Sequence, residues 1–221
     1  MKGDRQCYQF YGRRKGHALR RHHSELIDEL LPGLRIDLAA PLAGLAPPVH
    51  LEIGFGGGEH LAHQAELHPD VRFIGAEPFV NGVAKLLVFI EAKRLQNVSV
   101  HAGDVRELFE LLPDQSLERI YLLYPDPWPK TRHHRRRLVS QENLQQLHRL
   151  LKPGGQFLFA SDIDHYVQWT LLETRKASGF TWLAESAADW RQPFSDWVET
   201  RYEAKAKREG RVPIYLTFRR D

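Results

Sequence analysis

The stretch V-H-L-E-I-G-F-G-G-G-E-H, Val49 to His60, decides how the rest of the chain is interpreted. Its apolar first half predicts a buried strand, its glycines predict a tight loop, and a helical pattern begins at Glu59. Glycine adopts positive φ angles without strain and lets a ligand approach the backbone closely. The helix start presents unpaired N–H groups and the positive end of the helix dipole. The stretch therefore predicts a loop that binds a nucleotide-like ligand.

The glycine spacing narrows the choice of ligand. The dinucleotide pattern G-x-G-x-x-G, counted from Gly54, would require a glycine where this chain has Glu59. The residues instead satisfy E-x-G-x-G-x-G, which resembles the first motif of class I methyltransferases that bind S-adenosylmethionine (SAM). The resemblance implies that four residues bind this cofactor: Glu52, Gly54, Gly56 and Gly58. A glycine-rich turn in an ordinary α/β domain is the alternative.

Composition limits the class of protein. With 221 residues, of which 42% are hydrophobic, the chain is long enough for one substantial core. The single cysteine, Cys7, excludes an intramolecular disulfide and a cysteine-based metal cluster, and is typical of a reducing cytosol. The sequence has no apolar run as long as a membrane span and no hydrophobic signal core. We therefore expect a cytoplasmic protein without a metal or a membrane partner; monomer and homodimer are both open.

The N-terminal residues 2–23 are strongly basic, and the aromatic residues Tyr8, Phe10 and Tyr11 lie among the charges. Such a segment binds phosphates and stacks on bases, each stack contributing about 1–3 kcal/mol. A solvated arm is the equally weighted alternative. A short helix is predicted from Ser24, as its cap, to Leu31, ended by Pro32 and Gly33 and followed by a connector over 39–48. These features predict a basic arm and helix over 1–45 and a methyltransferase domain over 46–221.

Strand and helix patterns alternate from Val49 onward. Helices are predicted over Glu59–Leu67, Phe79–Leu95, Val105–Leu111 and Ser140–Leu151. Further strands are predicted over Val71–Ala76, Asn97–Ala102, Leu117–Leu123, Gln156–Ser161, Phe180–Leu183 and Ile214–Arg219, with a turn at Lys152–Gly155. This alternation predicts an α/β fold, a Rossmann-like, doubly wound, seven-stranded sheet that is mostly parallel, with the last strand antiparallel.

Carboxylates follow the predicted strands. Glu77 comes after the second strand, where it would accept from ribose hydroxyls, and Asp104 comes after the third, where it would accept from an amine such as adenine N6. Asp126 follows the fourth strand, and Asp162 and Asp164 follow the fifth. Because ligands of parallel sheets bind at the carboxyl ends of the strands, these residues are predicted to lie around one site.

The segment Y-P-D-P-W-P-K-T-R-H-H-R-R-R, Tyr124 to Arg137, carries the strongest signal. Its three prolines stiffen the loop around Asp126 and Trp128, which suits the binding of a flat base by stacking and by hydrogen bonds. The basic run that follows predicts a phosphate-binding strip with salt-dependent affinity. An ordinary solvated charged face is the alternative. The strip consists of Lys130, Arg132, His133, His134, Arg135, Arg136 and Arg137.

From Val49 to Phe218 the chain resembles the bacterial tRNA (guanine-N7)-methyltransferases. The resemblance rests on L-E-I-G-F-G-x-G, G-A-E-P, Y-P-D-P-W-P-K, L-K-P-G-G, S-D and T-R-Y-E. It implies SAM-dependent methylation of N7 of the guanine at position 46 in the variable loop of tRNA. The implied SAM contacts are Glu52, Glu77, Asp104 and Asp126. The implied substrate contacts are Lys130, Asp162, Thr200, Arg201, Tyr202 and Glu203, and the implied RNA contacts are the residues from Arg132 to Arg137.

The chemistry assigns Asp126 as the catalytic residue. Guanine N7 already carries a lone pair, so no base need deprotonate it, and catalysis rests on positioning and on the electrostatic field at the base. Asp126 would orient the guanine and stabilise its growing positive charge. Asp162 and Glu203 would accept from guanine N1–H and N2–H₂, and Lys130 would hold O6 or a phosphate.

Two other functions fit parts of the sequence. Asp126-Pro127-Trp128 partly matches the D-P-P-Y pattern of enzymes that methylate exocyclic amines of nucleic acids. A non-catalytic RNA-binding subunit that keeps the fold is the second alternative. Among the tryptophans, Trp169 and Trp182 are predicted to lie in the core. For Trp190 and Trp197 two roles are open: packing of their loop against the domain, or contact with RNA.

Overall fold

The computed structural model describes residues 10–39 and 48–221. Its strands are β1 (Val49–Ile53), β2 (Arg72–Ala76), β3 (Val98–His101), β4 (Leu117–Leu123), β5 (Leu151–Ser161), β6 (Phe180–Trp182) and β7 (Ile214–Arg220). Its α-helices are α1 (Arg21–Glu29), α2 (Leu31–Leu34), α3 (Glu59–Leu67), α4 (Val80–Lys93), α5 (Arg106–Phe109), α6 (Gln141–Leu150), α7 (Asp164–Lys176), α8 (Ala188–Arg191) and α9 (Arg201–Arg208). A 3₁₀ helix spans Thr131–Arg136.

The seven strands form one sheet in the order β3-β2-β1-β4-β5-β7-β6. The sheet is parallel from β3 to β5, and β7 runs antiparallel to both of its neighbours. This confirms the predicted mostly parallel sheet with an antiparallel last strand. The chain winds outward in opposite directions from β1 and from β4, so the crevice between their carboxyl ends is the topological switch point where ligands bind.

Apolar side chains cover both faces of the sheet. One face packs against α5, α6 and α7 through residues such as Ile120, Leu122 and Phe157, all buried. The other face packs against α3 and α4, with Phe73, Leu61 and Leu86 fully buried, and against the segment before α9. β1 is buried along its whole length because it lies in the middle of the sheet. The first predicted strand is therefore the centre of the fold.

The N-terminal helices share the core of the sheet domain. Leu26 of α1 and Leu31 of α2 are buried in the same cluster as α4. The N–H of Ile36 donates to the carbonyl of Val100 at the β3 edge, at 3.1 Å. Residues 1–9 of the predicted arm and residues 40–47 of the predicted connector lie outside the described part of the chain, and the division at 45 and 46 stays a prediction.

Several local predictions were wrong. Helix α1 begins at Arg21, and Ser24 lies inside it instead of capping it. Pro32 and Gly33 form the short helix α2 instead of ending the helical segment, because proline is tolerated in a first turn. The turn at Lys152–Gly155 is an irregularity inside β5, whose pairing with β4 shifts register there. Trp182 is 38% exposed and packs on Trp190, since β6 is an edge strand.

Candidate active site

The loop after β1 takes the backbone conformation that its glycines predict. Gly54, Gly56 and Gly58 have φ angles of 67°, 57° and 78°, in the left-handed region that favours glycine. The N–H of Gly54 donates to the carbonyl of Ala76 at 2.8 Å, which ties the loop to the end of β2. Gly58 then occupies the N-cap position of α3.

Helix α4 packs against the same loop, the one that contains Gly54, Gly56 and Gly58. A Cβ atom at Gly82 would collide with the carbonyl oxygen of Gly56, so the helix backbone approaches the loop as closely as glycine allows. The N–H of Gly56 donates to Glu77 Oε2 at 2.8 Å. The loop is therefore held by β2, by Glu77 and by α4 together.

The Gly82→Ala variant tests this close packing. The added methyl group displaces Gly56, and overpacking of this kind costs about 1–3 kcal/mol. We expect the affinity for SAM, the cofactor that the sequence predicts, to fall by about 10-fold or more when measured by isothermal titration calorimetry. Gly33→Ala is the matched control, because a Cβ at Gly33 meets nothing within 4 Å. Equal SAM affinity in both variants would show that the position of the loop does not matter for the cofactor.

The loop after β4, residues 124–130, contains Asp126 and is called the Asp126 loop below. It lies directly beside the loop after β1, residues 54–58, which is called the glycine loop. Ile53 at the end of β1 pairs with Leu122 near the end of β4, so both loops leave the sheet at the switch point. Tyr124 and Trp128 have positive φ angles of 49° and 43°, which are unfavourable for residues with side chains. Strained residues of this kind cluster at functional sites, and here they bracket Asp126.

The two loops enclose one cavity of about 380 Å³, within the size range of small-molecule sites. Its walls include Gly54 from the first loop, Asp126 and Trp128 from the second, Asp104 after β3, and Tyr11 from the N-terminal segment. A much smaller cavity of about 10 Å³ adjoins the loop on the side of Glu52, Tyr124 and Tyr202. Of the sequence-predicted cofactor residues, Asp104 and Asp126 line the larger cavity, Glu52 lines the smaller one, and Gly54 lines both.

The acidic residues of the crevice differ in their surroundings. Glu77 is buried and accepts from the N–H of Phe79 at 2.9 Å, and burial raises the pKa of its carboxyl group. The pKa of Asp126 is also raised by desolvation, although its side chain is open to the cavity. Asp104 binds the guanidinium of Arg106, with Nη2 to Oδ2 at 2.6 Å.

Glu52 is paired inside the protein. Its Oε2 lies 2.7 Å from Nδ1 of His60, and both side chains are almost fully buried. The His60 ring in turn packs on Tyr121 and on Trp197, with centroids 4.8 and 5.1 Å away. Glu52 therefore lies beside the glycine loop, and its orientation is fixed by His60, a residue that the sequence analysis did not identify.

The T-R-Y-E segment covers the glycine loop. Thr200 caps α9 by accepting from the N–H of Glu203 at 3.2 Å, a capping-box signal that T-x-x-E carries in the sequence. Arg201 forms an ion pair with Glu59, and a Cβ on Gly56 would lie 2.8 Å from the Tyr202 ring. The segment and the glycine loop are therefore in direct contact.

Glu203 points away from the crevice. Its carboxylate accepts from Trp197 Nε1 at 2.6 Å and from the Tyr215 hydroxyl at 2.8 Å, and pairs with Lys207 at 2.7 Å. The side chain is 2% exposed. Direct contact of Glu203 with guanine stays a prediction, and it would require these bonds to open.

The other two predicted substrate residues, Lys130 and Asp162, do not line the cavity of about 380 Å³. Asp162, directly after β5, forms an ion pair with Arg211, and its side chain is 12% exposed. Lys130 is exposed at the start of the 3₁₀ helix. Contact of both residues with the substrate stays a prediction.

The 3₁₀ helix divides the residues of the basic strip among three faces, because residues three apart in such a helix lie on the same face. Arg132 and Arg135 are exposed. His133 and Arg136 lie against Trp128, with the Arg136 guanidinium carbon 4.9 Å from the indole centroid and 4.5 Å from the Tyr11 ring. His134 and Arg137 form the third face, which points inward: the His134 ring lies 5.0 Å from that of His165, and Arg137 is 2% exposed. RNA contact by Arg137 stays a prediction, against its burial.

In residues 10–39 and 48–221, no helix is long and apolar enough to cross a bilayer. The same residues contain no group of three or more His, Cys, Asp or Glu side chains arranged to hold a metal ion.

Comparison with known proteins gives consistent results. A family model described as "putative methyltransferase" matches residues 46–216. The tRNA (guanine-N(7)-)-methyltransferase of Rhizobium etli is 56% identical over 219 residues, covering 96% of this chain and 95% of the relative. That of Rhizobium meliloti is 52% identical over 227 residues, covering 99% and 98%.

Solved structures with low identity share the fold. The 16S rRNA methyltransferase KamB superposes with a TM-score of 0.53 at 18% identity, covering 88% of this chain and 92% of that one. A SAM-dependent O-methyltransferase from Thermotoga maritima superposes with a TM-score of 0.52 at 16% identity, covering 93% and 67%. With the family model and two relatives matched over nearly the whole chain, the protein belongs to the tRNA (guanine-N7)-methyltransferase family.

Proposed function

We propose that this protein transfers the methyl group of SAM to N7 of the variable-loop guanine of tRNA, in the cytoplasm. One observation carries the proposal: the glycine loop and the Asp126 loop adjoin at the switch point and line the same cavity. The relatives' names give the reaction, and the cavity supplies a place for a methyl donor beside a base.

The chemistry of the donor set fits SAM. Glu77 follows β2, where a carboxylate accepts from the ribose hydroxyls, and Asp104 lines the same cavity on the side proposed for adenine. Glu52 offers a fixed negative charge to the cationic amino-acid part, and Gly54, Gly56 and Gly58 let the ligand approach the backbone. When bound, the cofactor supplies a methyl group already activated by its sulfonium.

The base site lies on the Asp126 side of the cavity. Guanine N7 is a free acceptor on the Hoogsteen edge, so the protein need not remove a proton from it. Asp126 would orient the base and stabilise its growing positive charge, and Trp128 offers an aromatic face beside it. Lys130, Asp162 and the segment Thr200, Arg201, Tyr202 and Glu203 are proposed to complete substrate recognition.

The decisive test is incubation with methyl-labelled SAM and unmodified tRNA, followed by nucleoside analysis. We expect the label in 7-methylguanosine, at a single site in the variable loop. Label in N2-methylguanosine or N6-methyladenosine would establish transfer to an exocyclic amine instead. Binding of tRNA without any binding of SAM would establish a non-catalytic RNA-binding subunit.

The exposed arginines of the basic strip predict a salt effect. Arg132→Gln and Arg135→Gln each remove one phosphate contact, so each should weaken tRNA binding and lower the slope of log affinity against log salt by about 0.7. Filter binding between low and moderate salt measures both quantities. Arg72→Gln is the control, because Arg72 is exposed at the amino end of β2, the opposite edge of the sheet. Slopes unchanged in all three variants would remove the strip from the RNA interface.

A further inference from the structure

Arg137 ends the basic run, yet its guanidinium is enclosed by protein. It is 2% exposed, while Arg135, two residues earlier, is exposed. The period of the preceding 3₁₀ helix turns His134 and Arg137 toward α7. The charge of Arg137 is therefore not available to RNA phosphates in this conformation.

Two of the three guanidinium nitrogens of Arg137 bind groups of the Asp126 loop and of α7, whereas Nη1 has no protein partner within the described part of the chain. Nε donates to the carbonyl of Pro127 at 2.9 Å, and Nη2 lies 3.5 Å from the carbonyl of Trp128. The same Nη2 donates to Nδ1 of His165, at 2.9 Å. One side chain thus ties the two residues that follow Asp126 to helix α7.

Two aromatic rings of α7 pack against the guanidinium. Its central carbon lies 4.8 Å from the Tyr166 centroid and 5.0 Å from the Trp169 centroid. Trp169 is itself fixed, because its Nε1 donates to the carbonyl of Val139 at 2.7 Å. A site that combines two ring contacts with hydrogen bonds from two different guanidinium nitrogens fits arginine, and lysine does not reproduce it.

The hydrogen bonds of Arg137 hold a part of the loop whose backbone is strained. Trp128 has a φ of 43°, and a strained residue keeps its conformation only when its surroundings hold it there. The bonds of Arg137 to the carbonyls of Pro127 and Trp128 supply that hold one and two residues from Asp126. Misplacement of a reacting group by about 1 Å costs up to 10²-fold in rate.

We propose that Arg137 is a positioning residue that holds the Asp126 loop in its reactive conformation, and that it does not contact RNA. The inference rests on the proposed function, in that Asp126 acts on the base. It divides the basic strip into two parts: the exposed Arg132 and Arg135 bind phosphate, and the buried Arg137 orders the loop.

The test compares Arg137→Lys with Arg135→Gln in the full-length protein. For Arg137→Lys we expect a single-turnover rate lowered by about 10- to 100-fold at saturating SAM and tRNA. Its tRNA affinity and salt slope should stay within about 2-fold of wild type. Arg135→Gln gives the reference for a lost phosphate contact, namely weaker tRNA binding and a smaller slope. Parallel losses of tRNA affinity and slope in both variants would overturn the proposal, as would a wild-type rate for Arg137→Lys.

A second variant covers the case in which Arg137→Lys does not fold. His165→Ala removes only the acceptor for Nη2, and His165 lies on an exposed part of α7. We expect a smaller loss of single-turnover rate, about 2- to 10-fold, with unchanged tRNA affinity. An unchanged rate would contradict a role for the bond between Arg137 and α7 in positioning the Asp126 loop. Failure of the proposed function would appear differently, as an absence of 7-methylguanosine from the wild-type reaction.

Discussion

We expect replacement of Asp126 by asparagine to lower the single-turnover rate of methylation by about 10²- to 10³-fold when SAM and tRNA are both saturating. Asparagine keeps the size and one oxygen of the side chain but removes the charge that faces the base as the base becomes cationic. Rapid-quench measurement with labelled SAM reports this rate without contributions from binding or product release. A wild-type rate for Asp126→Asn would show that the carboxylate has no part in the methyl transfer.

The pH dependence of the same rate provides an independent check. Desolvation raises the pKa of Asp126 above its usual range. The carboxylate is therefore ionised, and the enzyme active, above the raised pKa, and activity is lost as the pH falls through it. We expect this acidic limb at a higher pH than the ordinary aspartate value of about 3.9, and we expect Asp126→Asn to lack it.

A matched control separates the role of this carboxylate from the general effect of charge. Asp70 is exposed two residues before β2, at the amino edge of the sheet. Asp70→Asn changes the net charge by the same amount, far from the cavity. We expect its rate and its acidic limb to equal those of the wild type. A comparable loss in both variants would assign the effect to overall charge.

We expect Glu203→Ala to destabilise the protein strongly. Removal of this buried carboxylate leaves Trp197 Nε1–H and the Tyr215 hydroxyl without their acceptor, and Lys207 without its buried partner. Lys207 is half exposed and keeps Glu199 as a partner, so the main cost is that of the two donors left without an acceptor, about 1–3 kcal/mol each. For a chain of this size, the melting temperature should fall by roughly 4–24 °C, measured by scanning calorimetry.

We expect the loss of Glu203 to disturb the packing around the glycine loop as well. Trp197 packs on His60, which fixes Glu52, and Tyr202 lies on Gly56. We therefore expect weaker SAM binding together with the lower melting temperature.

Glu199→Ala is the control, since Glu199 is about half exposed and pairs with the same Lys207. Its effect should stay within about 0.5 kcal/mol. Equal melting temperatures for the two variants would contradict the structural role of Glu203.

The sequence could predict the fold because its signals are local. Alternation of apolar strands and helices, together with glycine and proline at loop positions, identifies β1, β4 and the loops after them. The rule that ligands bind at the carboxyl ends of parallel strands then brings Glu77, Asp104 and Asp126 to one edge. The structure places Asp104 and Asp126 in the wall of one cavity, and Glu77 accepts a hydrogen bond from Gly56 of the glycine loop that borders it.

The remaining features depend on contacts between distant residues. A run of arginines and histidines does not indicate its own backbone conformation, so the burial of Arg137 follows only from the 3₁₀ helix and from the aromatic rings of α7. The pairing of His60 with Glu52 and the enclosure of Glu203 likewise arise from packing across the sheet. Tyr11 meets Arg136 from the far end of the chain.

The most direct test of the account is a crystal structure of the protein with S-adenosylhomocysteine, the demethylated form of the cofactor. We predict the adenosine in the cavity of about 380 Å³, with the ribose hydroxyls at Glu77 and the sulfur facing the Asp126 loop. Binding of the ligand outside the crevice between the glycine loop and the Asp126 loop would contradict the central claim.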